Sequence, residues 1–179
     1  MKTAEFETLL SELSPNEQYK LLYSAMYKVC EDNEWGDPFS YARSKEIRMS
    51  IEFGHCIGKT YSGEDAYIIE DGVKKKFEYK STIDNAVKGV YNGISVKPTL
   101  EEQIDYITND KIGCYDTHYF SRFANGEIAE TWAIPGSKMV EILLPKVVKQ
   151  YKSTTKKADP RIGVSISHRE ITKNGVRIQ

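Results

Sequence analysis

No apolar run in the 179 residues approaches the roughly 18 consecutive positions that a bilayer-spanning helix needs. The start, MKTAEFETLL, places acids where a secretory leader carries a basic region and an apolar core, so a cytoplasmic protein is expected. Cysteine is scarce: Cys30, Cys56 and Cys114 are odd in number, far apart and without a C-x-x-C pair, which excludes a disulfide framework or a zinc knuckle and leaves three free thiols. The three histidines, His55, His118 and His168, have no metal-ligand spacing. There is no phosphate-cradling glycine loop and no serine or cysteine nucleophile with a base at a recognisable spacing. Nucleotide-loop, zinc-hydrolase and covalent-nucleophile classes are therefore not supported.

What is present is an ordinary globular composition, 40% hydrophobic and 28% charged, which excludes intrinsic disorder. The length suits one compact domain with a real core. Twelve tyrosines are the unusual feature. The net charge of -1 hides an asymmetry. Met1 to Trp35 holds seven acids against three lysines, whereas Ser137 to Gln179 holds ten lysines and arginines against three acids. A basic end on a near-neutral protein suits contact with a polyanion such as nucleic acid.

Apolar residues at helical spacing (Phe6, Leu9, Leu10, Leu13, then Leu21, Leu22, Ala25, Met26, Val29) predict N-terminal helices. Ser14-Pro15-Asn16-Glu17 separates the first two, with Ser14 as cap, Pro15 in the first turn and Glu17 closing a capping box. A third helix is expected from about Ser40 to Phe53, ended by Gly54. Short strands follow. Asp65 to Ile69 and Val73 to Ser81 form a hairpin about Asp71-Gly72, because both central residues of a type I′ turn need positive φ. Thr82 to Pro98 reads as irregular, and a short helix is expected from Thr99 to Thr108. A second hairpin, Ile112 to Phe123 and Glu127 to Ile134, meets at Asn125-Gly126. Gly136-Ser137 opens a helix to about Tyr151, and a last strand spans Ile162 to Ser167. The expected fold is thus α/β, with a mixed central sheet flanked by helices: N-terminal helices 1–53, first hairpin 65–81, second hairpin 112–134 and basic region 137–179, all in one domain.

Chemistry concentrates on the first hairpin. Counting outward from Asp71-Gly72 pairs Glu70 with Val73, Ala66 with Phe77 and Asp65 with Glu78. Directly paired residues share a face with Cβ atoms roughly 4.5–5.5 Å apart, and two carboxylates there repel unless something neutralises them. Hard oxygen ligands of this kind suit Mg²⁺, which takes one or two carboxylates plus waters and phosphate oxygens. Lys80, two residues past Glu78, falls on the same face, while Phe77 and Tyr79 point to the other face and the core. Glu64 has the wrong parity to replace Asp65. Lys74, Lys75 and Lys76 allow the plainer reading of a solvated charge ladder.

These residues resemble the PD-(D/E)xK nuclease superfamily and, within it, the type II restriction endonucleases. The resemblance rests on Gly63-Glu64-Asp65-Ala66 and Glu78-Tyr79-Lys80-Ser81-Thr82, with Glu78-Tyr79-Lys80 the sole D/E-x-K triplet of the chain, and covers about 40 residues from Ser44 to Thr82. The proline before the first acid is absent. The resemblance implies a restriction-endonuclease-like fold, Asp65 and Glu78 as Mg²⁺ ligands, Lys80 as a catalytic assistant, and a further carboxylate on the preceding helix, either Glu46, favoured by Ser44-Lys45 before it, or Glu52. It also implies sequence-specific cleavage of double-stranded DNA by a homodimer. His118 and Arg122 on the second hairpin are candidates for base or phosphate contact. Lys149, Lys152, Lys156, Lys157 and Arg161, with hydroxyls from Ser153-Thr154-Thr155, are candidates for the backbone clamp. Rival readings are a structure-selective repair or junction nuclease of the same chemistry, a non-catalytic DNA-binding protein, and an interaction module.

Overall fold

The computed structural model describes residues 3–59, 63–154 and 160–179. They form two compact units, 1–44 and 45–179. The first contains helices α1 (Thr3–Ser11) and α2 (Pro15–Asp32). Ser14 caps α2: its side chain accepts from the Glu17 N–H and Glu17 reaches back to the Ser14 N–H, the full capping box, with Pro15 in the first turn. Such a cap contributes about 1 kcal/mol. Within this unit Arg43 is buried and its Nε donates to the Trp35 carbonyl at 2.6 Å.

Helix α3 (Arg43–Phe53) leads into the second unit, later than Ser40 because residues 37–42 form turns. Gly54 ends it at φ 68°, a conformation that glycine adopts without penalty. The strands are β1 (Cys56–Ile57), β2 (Ala66–Glu70), β3 (Val73–Thr82), β4 (Gly89–Ser95), β5 (Thr117–Ala124), β6 (Glu127–Pro135), β7 (Arg161–Ile166) and β8 (Val176–Arg177); the later helices are α4 (Leu100–Asp105), α5 (Gly136–Thr154) and α6 (His168–Asn174). A six-stranded sheet has the order β1-β2-β3-β5-β6-β8. It is mixed, since β3 and β5 run parallel and its other neighbours antiparallel. A separate ribbon pairs β4 with β7.

Both hairpin turns take the required geometry, with φ 51° and 78° at Asp71-Gly72 and 52° and 81° at Asn125-Gly126. The β2–β3 register, from Glu70↔Val73 to Ala66↔Phe77, is the one counted from the turn. Because side chains alternate along a strand, β3 and β5 feed two cores. Odd residues Phe77, Tyr79 and Tyr119 pack with Met49 of α3, Ala66, Phe123 and Ile128. Even-numbered Phe120 faces the larger core of Met139, Leu143 and Val147 from α5, Tyr91 and Ile94 from β4, and Ile162, Val164 and Ile166 from β7. Helices α3 and α5 therefore flank the sheet on opposite faces.

Several expectations are corrected. Residues 89–95 of the stretch read as irregular form β4, which is held by β7 and shifts register between Tyr91 and Ile94. The helix after Thr99 is α-helical only to Asp105, then winds as a π-helix through Tyr106–Lys111. That segment and the turn after it delay β5 to Thr117. Helix α6, capped by Ser167, and the short edge strand β8 lie beyond the last expected strand. Among the described residues no helix is long and apolar enough to cross a membrane. Cys30, Cys56 and Cys114 are free thiols.

Candidate active site

The site forms where β2 begins beside the middle of β3. The regular β2–β3 ladder stops at Ala66↔Phe77, so Asp65 does not stand as the simple cross-strand partner of Glu78. Instead its N–H donates to the Phe77 carbonyl at 3.1 Å, its carbonyl accepts from Gly58 N–H at 2.9 Å, and its Oδ2 accepts from Tyr79 N–H at 2.7 Å. A side chain thus replaces the backbone acceptor that a continued ladder would offer, and this fixes the Asp65 carboxyl against β3. At Gly58 a Cβ would stand 2.0 Å from the Glu64 carbonyl oxygen, so the close approach of residues 58 and 64 requires glycine.

Burial, followed by the Glu78 and Glu46 carboxylates, pushes Asp65 up to about 8, against the opposing pull of Lys80 and the Tyr79 N–H. Three acids therefore act on one place. Lys80 makes an ion pair with Glu78, and both side chains are mostly buried. Burial alone would lower the Lys80 pKa, but Glu78, Asp65 and Glu46 outweigh it and hold the ammonium above its ordinary range. Of the two helical candidates, Glu46 exerts its field on Asp65 and Lys80, whereas Glu52 pairs with Arg48 on its own helix. Glu64, the parity-excluded acid, pairs with Lys74.

Beneath Glu78 lies a layer the sequence did not disclose. Glu78 stands beside His118 in the parallel β3–β5 register, on the same face. His118 is fully buried; Tyr91 Oη lies 2.8 Å from its Nδ1, and its Nε2 is 3.0 Å from the Ile112 carbonyl oxygen. Burial pushes His118 down to about 4, so the ring is neutral near pH 7. The Tyr91 ring receives the Lys80 ammonium at 4.9 Å from its centroid. Tyr115 Oη donates to the Gly63 carbonyl at 3.4 Å, and burial followed by the Glu78 carboxylate raises its phenol pKa. On the far face His55 Nδ1 lies 2.6 Å from Tyr79 Oη, which braces the strand between Asp65 and Lys80.

The expected DNA-contact residues fare unevenly. His118 cannot reach a base edge, because it is a core residue whose two nitrogens are engaged within the fold; a polar residue on a strand with a buried partner is not an exposed one. Arg122 is half-buried and pairs with Glu130 at 3.5 Å. Lys149 and Lys152 are exposed on α5, as is Arg161 on β7, whose guanidinium donates to Ser95 Oγ at 2.7 Å. Lys156, Lys157 and Thr155 lie outside the described residues. Among the described residues no three histidine, cysteine, aspartate or glutamate side chains form a ready metal cage. The donor set that does converge is two carboxylates with a third nearby, hard oxygen and negatively charged, which fits a Mg²⁺ ion that keeps most of its shell as water and phosphate.

No family model matches the chain, and no curated protein matches it.

Proposed function

We propose that the chain is a Mg²⁺-dependent, sequence-specific double-strand DNA endonuclease of the type II restriction class, with a restriction-endonuclease-like PD-(D/E)xK fold, acting in the cytoplasm as a homodimer. The observation that carries the reading is the Lys80–Glu78 ion pair beside Asp65, whose Oδ2 is fixed by the Tyr79 N–H and whose carboxyl is pushed up by burial and by the Glu78 and Glu46 charges. Burying Asp65 beside two further carboxylates raises its cost of ionisation, a structural liability unless a cation joins them. Asp65 and Glu78 would hold Mg²⁺, with Glu46 behind them.

When bound, the ion supplies positive charge to the scissile phosphate and acidifies water. The residues do the rest. Tyr79 N–H and the strand pairing hold the Asp65 carboxylate in place, so no reorganisation is needed as the phosphate arrives. Lys80, charged and aimed from the same strand face as Glu78, hydrogen-bonds a phosphate oxygen and stabilises the negative charge that builds there as water attacks. Exposed Lys149 and Lys152 supply sequence-independent contact with the DNA backbone. One site cuts one strand, so cleavage of both follows most simply from two copies on a symmetric target. Exposed Tyr19, Leu22, Met26 and Val29, spaced as one apolar stripe on α2, offer a face for such pairing.

Incubating the protein with plasmid DNA, with and without Mg²⁺, tests the reading. Discrete fragments that vanish without the ion and in Lys80→Ala are expected. An intact plasmid in every arm, across a panel of plasmids and phage DNA, would sink it, and cutting that follows branches or flaps rather than sequence would reassign the enzyme to repair.

A further inference from the structure

Lys80 has two neighbours that hold its ammonium, and they differ in kind. Glu78 is an anion that the nuclease reading, on which this inference rests, also commits to a cation. The Tyr91 ring is neutral and does not compete for a metal. An ammonium held by Glu78 alone would lose its anchor when that carboxylate turns to a divalent ion. A π-face 4.9 Å away keeps attracting it, by electrostatics with the ring quadrupole, whatever Glu78 does.

Tyr91 belongs to β4, on the ribbon with β7 rather than on the sheet that carries the motif, so its orientation needs fixing independently. His118 does this. The Ile112 carbonyl can only accept, so Nε2 carries the imidazole proton and donates to it at 3.0 Å. In the neutral ring Nδ1 is then an acceptor, and Tyr91 O–H donates to it at 2.8 Å. The Tyr91 hydroxyl is 27 residues from its acceptor along the chain, and both side chains are buried. Gly89, two residues before Tyr91, lets β4 lie close: a Cβ there would meet the Phe120 ring at 2.6 Å. The chain Ile112 carbonyl, His118, Tyr91, Lys80 runs from the core to the site, with a defined proton position in each of its two hydrogen bonds and a cation–π contact as its last link.

We infer that Tyr91 and His118 are positioning residues for catalysis: the Tyr91 ring is the seat of the Lys80 ammonium, and His118 locks that ring in place. Lys80 then stays aligned whether or not Glu78 is engaged elsewhere. The seat should act on turnover and leave DNA affinity alone, since neither Tyr91 nor His118 is exposed to DNA.

The test has an arm without activity and an arm with it. In metal-free protein, the Lys80 Cε–Hε signal, assigned by its loss in Lys80→Gln, is expected upfield of exposed lysines because it sits over an aromatic face. The shift should be largest in wild type, weaken in Tyr91→Phe, which keeps the ring but loses its bond to His118, and collapse in Tyr91→Leu. In the cleavage arm, phenylalanine at position 91 is compared with its 3,4,5-trifluoro derivative, which has nearly the same shape but a weakened ring quadrupole. The fluorinated protein should lose kcat by roughly 3- to 10-fold, with KM for DNA within about twofold. Equal kcat in the two ring variants, a loss confined to KM, a Lys80 signal at the exposed-lysine position in wild type, or a Tyr91→Phe signal unchanged from wild type would overturn the inference. If Tyr91→Leu does not fold, the two ring variants, which preserve core volume, still decide it. A wild type that cleaves no DNA would refute the nuclease reading, while the Lys80 signal would still answer whether the seat exists.

Discussion

Replacing Asp65 with asparagine in metal-free protein tests the electrostatic core of the site directly. The wild-type carboxyl is pushed up to about 8 by burial and by the Glu78 and Glu46 charges, whereas in the unfolded chain it ionises near 3.9. Between those values the folded protein holds a proton that the unfolded chain has released. Stability from this group is therefore complete below about pH 4, falls as pH rises, and is gone above about pH 8. The limiting slope is about 1.4 kcal/mol per pH unit, so pH 5 to 8 spans at most about 4 kcal/mol. The charges around Asp65 broaden its titration, which brings the expected change to roughly 2–4 kcal/mol. Asparagine keeps an oxygen for the Tyr79 N–H and carries no charge. Urea unfolding in EDTA, followed by circular dichroism and tryptophan fluorescence, should thus show wild type losing 2–4 kcal/mol relative to Asp65→Asn between pH 5 and about 8.5. Parallel pH profiles for the two proteins would refute the reasoning, as would a wild type that gains on the mutant at high pH. Saturating Mg²⁺ should abolish the difference in slope, because the ion favours the charged carboxylate.

Mg²⁺ at about 100 times its dissociation constant stabilises by about 2.7 kcal/mol, which in a protein of this size raises Tm by roughly 5–10 °C; calorimetry should find that rise in wild type and lose most of it in Glu78→Gln. Lys80→Ala should lower the cleavage rate by about 10²–10³-fold while a gel-shift assay in Ca²⁺ shows DNA binding retained; equal losses in both would assign Lys80 to binding alone. Phe77→Ala removes a ring buried between Met49 and Tyr119 and should cost about 3–5 kcal/mol in urea unfolding, while Ser14→Ala, which breaks the α2 capping box, should cost only about 1 kcal/mol.

What was legible in the sequence was local. Asp71-Gly72 and Asn125-Gly126 set their own turns because the required positive φ is a property of two residues, and the β2–β3 register then follows by counting. Ser14 and Glu17 are likewise sufficient for a cap. The parity of β3 separated Phe77 and Tyr79 from Glu78 and Lys80 without any knowledge of the sheet around them. What was not legible depends on distant partners. Asn92 and Gly93 break the alternation of β4, and Gly93 at φ 69° marks the irregularity; only pairing with β7, about 70 residues on, makes the segment a strand. His118 reads as an exposed polar residue until Tyr91 and the Ile112 carbonyl are brought to its two nitrogens. Counting the ladder outward from its turn places Asp65 one bond too regularly, because local pairing rules do not foresee a carboxylate replacing a backbone acceptor.

The acidic cluster around Asp65 costs the metal-free fold more than it returns. Everything the fold gains from Asp65 is the bond to Tyr79 N–H and its own backbone pairing, and an amide would make both without the charge. Glu78 is mostly buried beside a neutral histidine that offers it no compensating charge. Lys80 compensates one acid, yet Asp65 and Glu46 remain within its field. Buried carboxylates gathered about one ammonium destabilise a metal-free protein, and well-packed neutral side chains would serve stability better. The arrangement becomes favourable only when positive charge is added where the acids converge, and the Tyr91 seat on the neutral side of Lys80 keeps the one fixed cation in place when that happens.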